Sequence, residues 1–191
     1  MAARLRRNRN LSPIAPPGAH ISVLYPAEEI GKRVRALAGE IAATMGRAPL
    51  VVPILKGSFI FAADLLRALH EAGVEPDMDF IGLSSYGGGT LSLGEVRIVR
   101  DTEAEIAGRD VLIVDDILES GRTLAFAIDL MAARGARSVR SCVLLRKPGK
   151  LAVDVAADFA GFDCPDRFVV GYGMDIAHAG RQLPFIGFVE R

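Results

Sequence analysis

Hydrophobic positions along the chain follow two rhythms that alternate. Leu50–Leu55, Val111–Val114 and Ser138–Leu145 are short runs of mostly uncharged, β-branched or aliphatic residues, the kind buried on both faces of a parallel sheet. Between them, Ile30, Val34, Leu37 and Ile41, then Phe59–Leu69, then Leu124, Ile128 and Met131 repeat at helical spacing. Pro26 followed by Glu28 and Glu29 opens the first helix, and Gly73 and Gly135 mark where the next two close. Asp79–Ser85 predicts a further strand and Val96–Val99 a hairpin arm. From Lys147 onward Pro148, Gly149 and Pro165 punctuate short strands around Asp158–Phe162, Arg167–Tyr172 and Phe185–Val189. The expected fold class is α/β: a twisted, mainly parallel sheet flanked by helices, with a small C-terminal subdomain over about residues 147–191.

Composition narrows this picture. With 191 residues, 50% of them apolar, the chain predicts one domain over residues 21–191. Residues 1–20 carry Arg4, Arg6, Arg7 and Arg9 and then Pro13, Pro16 and Pro17, which predicts an extended arm rather than core. The formal charge is zero, so no nucleic-acid partner is expected. Lys56, Asp64 and Asp129 interrupt the apolar runs well short of a membrane span. Cys142 and Cys164 lack the paired spacing of a disulfide framework or zinc site, and the expected location is the cytoplasm.

The stretch with most chemistry is Val111–Leu124, where a strand, a polar loop and a helix entrance follow one another. Ser120, Gly121, Arg122 and Thr123 stand at the start of the helical stripe. Unpaired N–H groups and the positive end of the helix dipole favour a phosphate there, and Ser120 and Thr123 add hydroxyl donors. Gly121 lets the backbone come close to the anion. Asp115 and Asp116 would repel that phosphate, so they are expected to accept hydrogen bonds from sugar hydroxyls nearby. A phosphorylated ribose satisfies both halves. Lys56, next to Gly57 at the end of an uncharged run, is placed where a charge and a backbone contact meet a polyanion.

The Asp115–Thr123 run resembles the phosphoribosyl pyrophosphate signature of the type I phosphoribosyltransferases. Leu55-Lys-Gly-Ser58, Ser84-Ser-Tyr-Gly87 and Phe168-Val-Val-Gly-Tyr-Gly-Met-Asp175 resemble segments of the hypoxanthine-guanine phosphoribosyltransferases, in the same order. The resemblance implies the type I fold with its base-recognising "hood" at the C-terminal end. It implies purine salvage: transfer of the phosphoribosyl group from phosphoribosyl pyrophosphate to hypoxanthine or guanine, dependent on Mg2+, by a homodimer or homotetramer. By the same resemblance Glu119 is the general base and Arg181, with Lys56 and Gly57, binds pyrophosphate. Asp175, together with Asp115 and Asp116, is associated with the metal, Phe168 stacks on the purine and the Val169 backbone reads its edge. Ser85 and Tyr86 begin a loop, rich in glycine as far as Gly94, that closes over the reacting centre.

Two positions depart from the family pattern. Glu119 replaces an aspartate, and Ala156 stands at the position taken for the lysine that reads the 6-oxo group, leaving Arg167 or Lys150 as substitutes. Two alternatives stay open on these grounds: a ligand-sensing regulator that keeps the phosphoribosyl pocket without turnover, and a phosphoribosyltransferase for another base.

Overall fold

A computed structural model describes residues 20–85 and 96–190. The basic arm lies outside the described residues, as does the loop from Tyr86 onward. The order of elements is β1 (Ile21–Tyr25), α1 (Ala27–Thr44), β2 (Leu50–Leu55), α2 (Phe59–Glu71), β3 (Asp77–Met78), β4 (Ile81–Ser85), β5 (Val96–Arg100), β6 (Asp110–Leu118), α3 (Arg122–Ala133), β7 (Ser138–Arg146), β8 (Phe159–Asp163), β9 (Val169–Val170) and β10 (Ile186–Val189).

The main sheet runs β5-β4-β2-β6-β7-β8, with β3 also paired to β2. It is parallel except for the β4–β5 hairpin. Its central strands are buried on both sides because alternate residues serve two cores. Leu112 and Val114 of β6 pack with α1 and α2, whereas Val111 and Ile113 pack with α3. Helix α2 follows β2 on one face and α3 follows β6 on the other, so the chain leaves these neighbouring strands in opposite directions. A crevice opens at such a switch point, at the carboxyl ends of the strands.

Three expectations are corrected. The strand predicted as Asp79–Ser85 is β4 but starts only at Ile81, and a gap at Asp79–Phe80 separates it from the two-residue β3, which was not expected; β3 and β4 pair with Leu50–Val51 and with Ile54–Leu55 of β2. The gap lies opposite Pro53, which has no N–H to offer a partner. The Asp79 carboxylate fills it by accepting the backbone N–H groups of Phe80, Glu103 and Ala104, at 2.7, 2.5 and 2.8 Å. Second, the Asp158–Phe162 strand does not belong to the hood: as β8 it extends the main sheet, parallel to β7. Third, the hood is not wholly C-terminal. Its three-stranded antiparallel sheet, β1-β10-β9, recruits Ile21–Tyr25 from the other end of the chain. Tyr25 fixes this sheet to the main one, stacking on Phe162 at 4.2 Å between ring centroids and donating its hydroxyl to the Asp163 carbonyl at 2.5 Å.

Candidate active site

The crevice between β2 and β6 is a cleft of about 290 Å³ lined by Leu55, Gly57, Asp115, Asp116, Glu119, Ser120, Gly121 and Thr123, with apolar walls from Ile54, Leu83, Ile117, Leu118 and Leu124. Strand β6 does not end at its two carboxylates, as the sequence pattern predicted. It continues beside β7 as far as Leu118, while pairing with β2 stops at Val114–Pro53. Asp115 and Asp116 therefore sit where one neighbouring strand has turned away. Asp115 Oδ1 accepts the Asp116 N–H at 2.9 Å and Asp116 Oδ1 accepts the Ile117 N–H at 2.9 Å. Burial pushes the Asp115 carboxyl well above the ordinary aspartate range, and the adjoining Asp116 charge adds to the rise. Burial also raises Asp116, against its hydrogen bonds and the positive charge of Arg181. Such a pair holds its charge poorly until hydrogen-bond donors reach it, and two hydroxyls of a sugar are suitable donors.

On one side of the pair is the Lys56–Ser58 turn. The Leu55–Lys56 peptide is cis, and Lys56 is exposed. A Cβ on Gly57 would lie 1.7 Å from Asp116 Oδ2, so only glycine fits. On the other side α3 begins at Gly121, whose φ of 80° lies in the left-handed region and which makes no side-chain cap. A Cβ there would meet Val155 at 2.6 Å. The 151–155 segment thus presses the loop into shape, helped by the bond from Ala152 N–H to the Ser120 carbonyl at 2.9 Å. Ser120 Oγ accepts the Arg122 N–H at 3.4 Å. The first helical turn and its hydroxyls face the cleft, as an anion site requires.

The third side comes from the segment after β9. Arg181 donates to the Gly173 carbonyl at 2.7 Å and pairs with Asp175 at 2.6 Å, and Asp175 also accepts the His178 N–H at 2.7 Å. Among the described residues no three His, Cys, Asp or Glu side chains converge on a metal position. Magnesium keeps several waters and takes one or two carboxylates together with phosphate oxygens of a substrate, so Asp115, Asp116 or Asp175 could hold it only with a substrate's oxygens.

Glu119 lies half exposed at the rim, and its carboxylate meets Lys147 Nζ at 3.1 Å. Lys147 is only 8% exposed, and its ammonium lies against the carboxylate of Glu119, which lines the cleft. The sequence reading missed this residue. Its signal was weaker than that of Lys56: it follows the uncharged Cys142–Leu145 run only after Arg146, whereas Lys56 follows Leu55 directly. Ala156, by contrast, is exposed and has no donor to offer, whereas Lys147, directly after β7, sets an ammonium beside Glu119. Neither proposed substitute takes that place: Lys150 pairs with Asp166 at 2.6 Å, and the Arg167 guanidinium lies 4.3 Å from the Phe188 ring centroid. Arg167 and Phe168 line a second cleft, of about 730 Å³, with Asp166, Ile176, Val189 and Glu190. The Phe168 ring is 58% exposed and so is no core side chain, whereas Val169 is buried in β9. Ser85 ends β4 opposite Val96, and Tyr86 lies outside the described residues.

A doubly wound sheet with a buried acid pair, a helix N-terminus and a basic loop around its switch point defines a protein that handles a phosphorylated sugar. A family model described as "Phosphoribosyl transferase domain" matches residues 20–177. The hypoxanthine-guanine phosphoribosyltransferase of Bacillus subtilis is 43% identical, over 88% of this chain and 92% of its own. The "Bifunctional protein TilS/HprT" of Listeria innocua is 46% identical over 88% of this chain, which spans about a quarter (26%) of that protein's length. A solved hypoxanthine-guanine phosphoribosyltransferase from Bacillus anthracis superposes with a TM-score of 0.83 at 39% identity, covering 90% of this chain and all of that one (100%). A hypoxanthine phosphoribosyltransferase of Trypanosoma cruzi gives 0.84 at 35% identity, covering 92% and 94%. The chain belongs to the phosphoribosyltransferase family, among the hypoxanthine-guanine phosphoribosyltransferases.

Proposed function

We propose that this chain serves purine salvage, joining the phosphoribosyl group of phosphoribosyl pyrophosphate to hypoxanthine or guanine, with IMP or GMP and pyrophosphate as products. The observation that carries this is the buried Asp115–Asp116 pair set beside the N-terminus of α3, which suits a ribose diol on one side and its 5′-phosphate on the other. As the bond to pyrophosphate breaks, positive charge grows on the sugar carbon and negative charge on the leaving group. Asp115 and Asp116 hold the hydroxyls and their charge favours that carbon. Lys56, the Gly57 backbone and Arg181 receive the polyanion. Lys147 donates to the 6-oxo oxygen of the base, while Glu119, beside it, accepts the proton lost from the purine nitrogen as that nitrogen bonds to the sugar. Phe168 offers a ring face and Val169 its backbone to the base.

Magnesium, held by Asp175 and the acid pair along with substrate oxygens, would neutralise the departing pyrophosphate. Free Cys142 and Cys164 agree with action in a reducing cytoplasm. Self-association into a dimer or tetramer belongs to the same reading. It is supported by the T. cruzi relative, whose C-terminal region was examined for its role in oligomeric state and enzymatic activity. Replacing both acids, Asp115→Asn with Asp116→Asn, is expected to lower kcat/KM by about a hundredfold or more, the range for misplacing a reacting group. Steady-state kinetics check it, and unchanged turnover in the double variant would sink the assignment.

A further inference from the structure

Tyr172 lies in the segment between β9 and Asp175, in a conformation few residues adopt. Its φ is 48°, in the left-handed region, although it has a bulky side chain. The turn around it is closed by paired bonds between Gly171 and Met174, at 3.0 and 3.1 Å. It is held from outside by Tyr172 N–H on the Leu183 carbonyl at 2.9 Å and Gly173 N–H on the Arg181 carbonyl at 3.0 Å. The ring is 6% exposed, and its hydroxyl donates to Asp64 Oδ2 at 2.5 Å. Burial, with the Asp64 hydrogen bond, pushes the phenol far above its ordinary range, so it remains a donor.

Asp64 lies on α2, the helix that starts directly after the Lys56–Ser58 turn. The residue after Tyr172 rests on that same turn: a Cβ on Gly173 would lie 2.1 Å from the Gly57 carbonyl oxygen. Gly57 in turn abuts the Asp116 carboxylate. A continuous stack therefore runs from Asp116 through Gly57 to Gly173, whose carbonyl holds Arg181 and thereby Asp175. Two halves of one anion seat, Lys56–Gly57 from the sheet and Asp175–Arg181 from the hood side, meet through this backbone contact and the Tyr172–Asp64 bond, above a core that Tyr172 and Met174 share with α2.

We infer that Tyr172 and Asp64 are positioning residues for pyrophosphate: their hydrogen bond holds the Gly171–Arg181 segment on the Lys56–Gly57 turn, so that both halves of the seat grip one anion. This rests on the phosphoribosyl-transfer reading and adds residues that touch no substrate. A merely structural pair would lower the melting temperature and leave anion affinity alone. The test measures binding of inorganic pyrophosphate, with magnesium, by titration calorimetry, beside steady-state KM for phosphoribosyl pyrophosphate and for base. Tyr172→Phe keeps the ring and is expected to bind pyrophosphate about tenfold more weakly, with KM for phosphoribosyl pyrophosphate raised to match and KM for base unchanged. Asp64→Ala should behave the same way, and Asp64→Asn, which still offers an amide oxygen, should restore most of the affinity. Wild-type affinity in both Tyr172→Phe and Asp64→Ala, or equal loss for base and pyrophosphate, would overturn the inference. Titration needs no turnover, so a chain that binds pyrophosphate but forms no nucleotide would refute the reaction while still testing the pair. A wild-type chain that binds none refutes both.

Discussion

Lys147 shows how one residue changes the reading of a pocket. An ammonium that is 8% exposed needs a partner, and Glu119 at 3.1 Å provides one. The longer side chain at position 119, which on sequence alone looks like a misplaced aspartate, is long enough to reach this lysine. The pair places a donor and a proton acceptor side by side, an arrangement that suits the oxo group and ring nitrogen of a 6-oxopurine. Lys147→Met keeps the length and apolar stem of the side chain, so the fold should persist with little change in melting temperature. Loss of a bond to a charged donor, about 1.5–3 kcal/mol, should raise KM for hypoxanthine about 10- to 100-fold and leave pyrophosphate binding as it was. Kinetics with varied hypoxanthine check this, and an unaltered KM would remove Lys147 from base recognition.

At the scale of elements, the strand and helix runs were legible because burial on both faces or along one stripe leaves few alternatives. Val111–Val114 has cores on both sides and reads as a strand from composition alone. What was not legible depends on pairing. Ile21–Tyr25 is short and only half-buried, and it becomes a strand because Ile186–Val189, at the far end of the chain, lies beside it. Nothing local distinguishes β8 as a main-sheet strand from the hood strands that follow it. The break at Asp79 had a sign in Pro53, but reading it needs the register between two strands. Asp110 shows how element ends are fixed across the sheet: at the start of β6 it accepts from Arg137 Nε at 2.9 Å and from Ser138 Oγ, at the start of β7, at 2.7 Å. The guanidinium and the hydroxyl hold its carboxyl down at about 2. A depressed folded-state value gives stability that is present above the unfolded aspartate range and disappears as pH falls through about 2. Arg137 is exposed, so solvent screening leaves only a small part of this stabilisation. Asp110→Ala should therefore unfold slightly more easily at pH 7, with the gap to wild type closing towards pH 2; urea titrations at several pH values check it, and a gap independent of pH would assign the loss to packing instead.

For the whole molecule, the sheet carries the groups expected to seat the sugar and its phosphate, and the hood brings those expected to meet base and pyrophosphate. The two share one core, in which Val169, Tyr172, Met174 and Ile186 join Leu112, Val114 and Phe61, and specific contacts add to it: Tyr25 against β8, Gly173 against Gly57, and Tyr172 against Asp64. The sugar side was readable because Asp115–Thr123 is continuous in sequence and its chemistry is local. The pyrophosphate and base sides combine residues from β2, β7, α2 and the segment after β9, and no spacing along the chain announces that Lys147 meets Glu119 or that Tyr172 meets Asp64. The most direct test of the account is pyrophosphate release from phosphoribosyl pyrophosphate and magnesium, with hypoxanthine, guanine, xanthine and adenine supplied separately. Release with hypoxanthine or guanine and little with adenine is the predicted result; silence with all four bases, in a protein that still binds phosphoribosyl pyrophosphate, would contradict it and leave a ligand-sensing protein in place of a transferase.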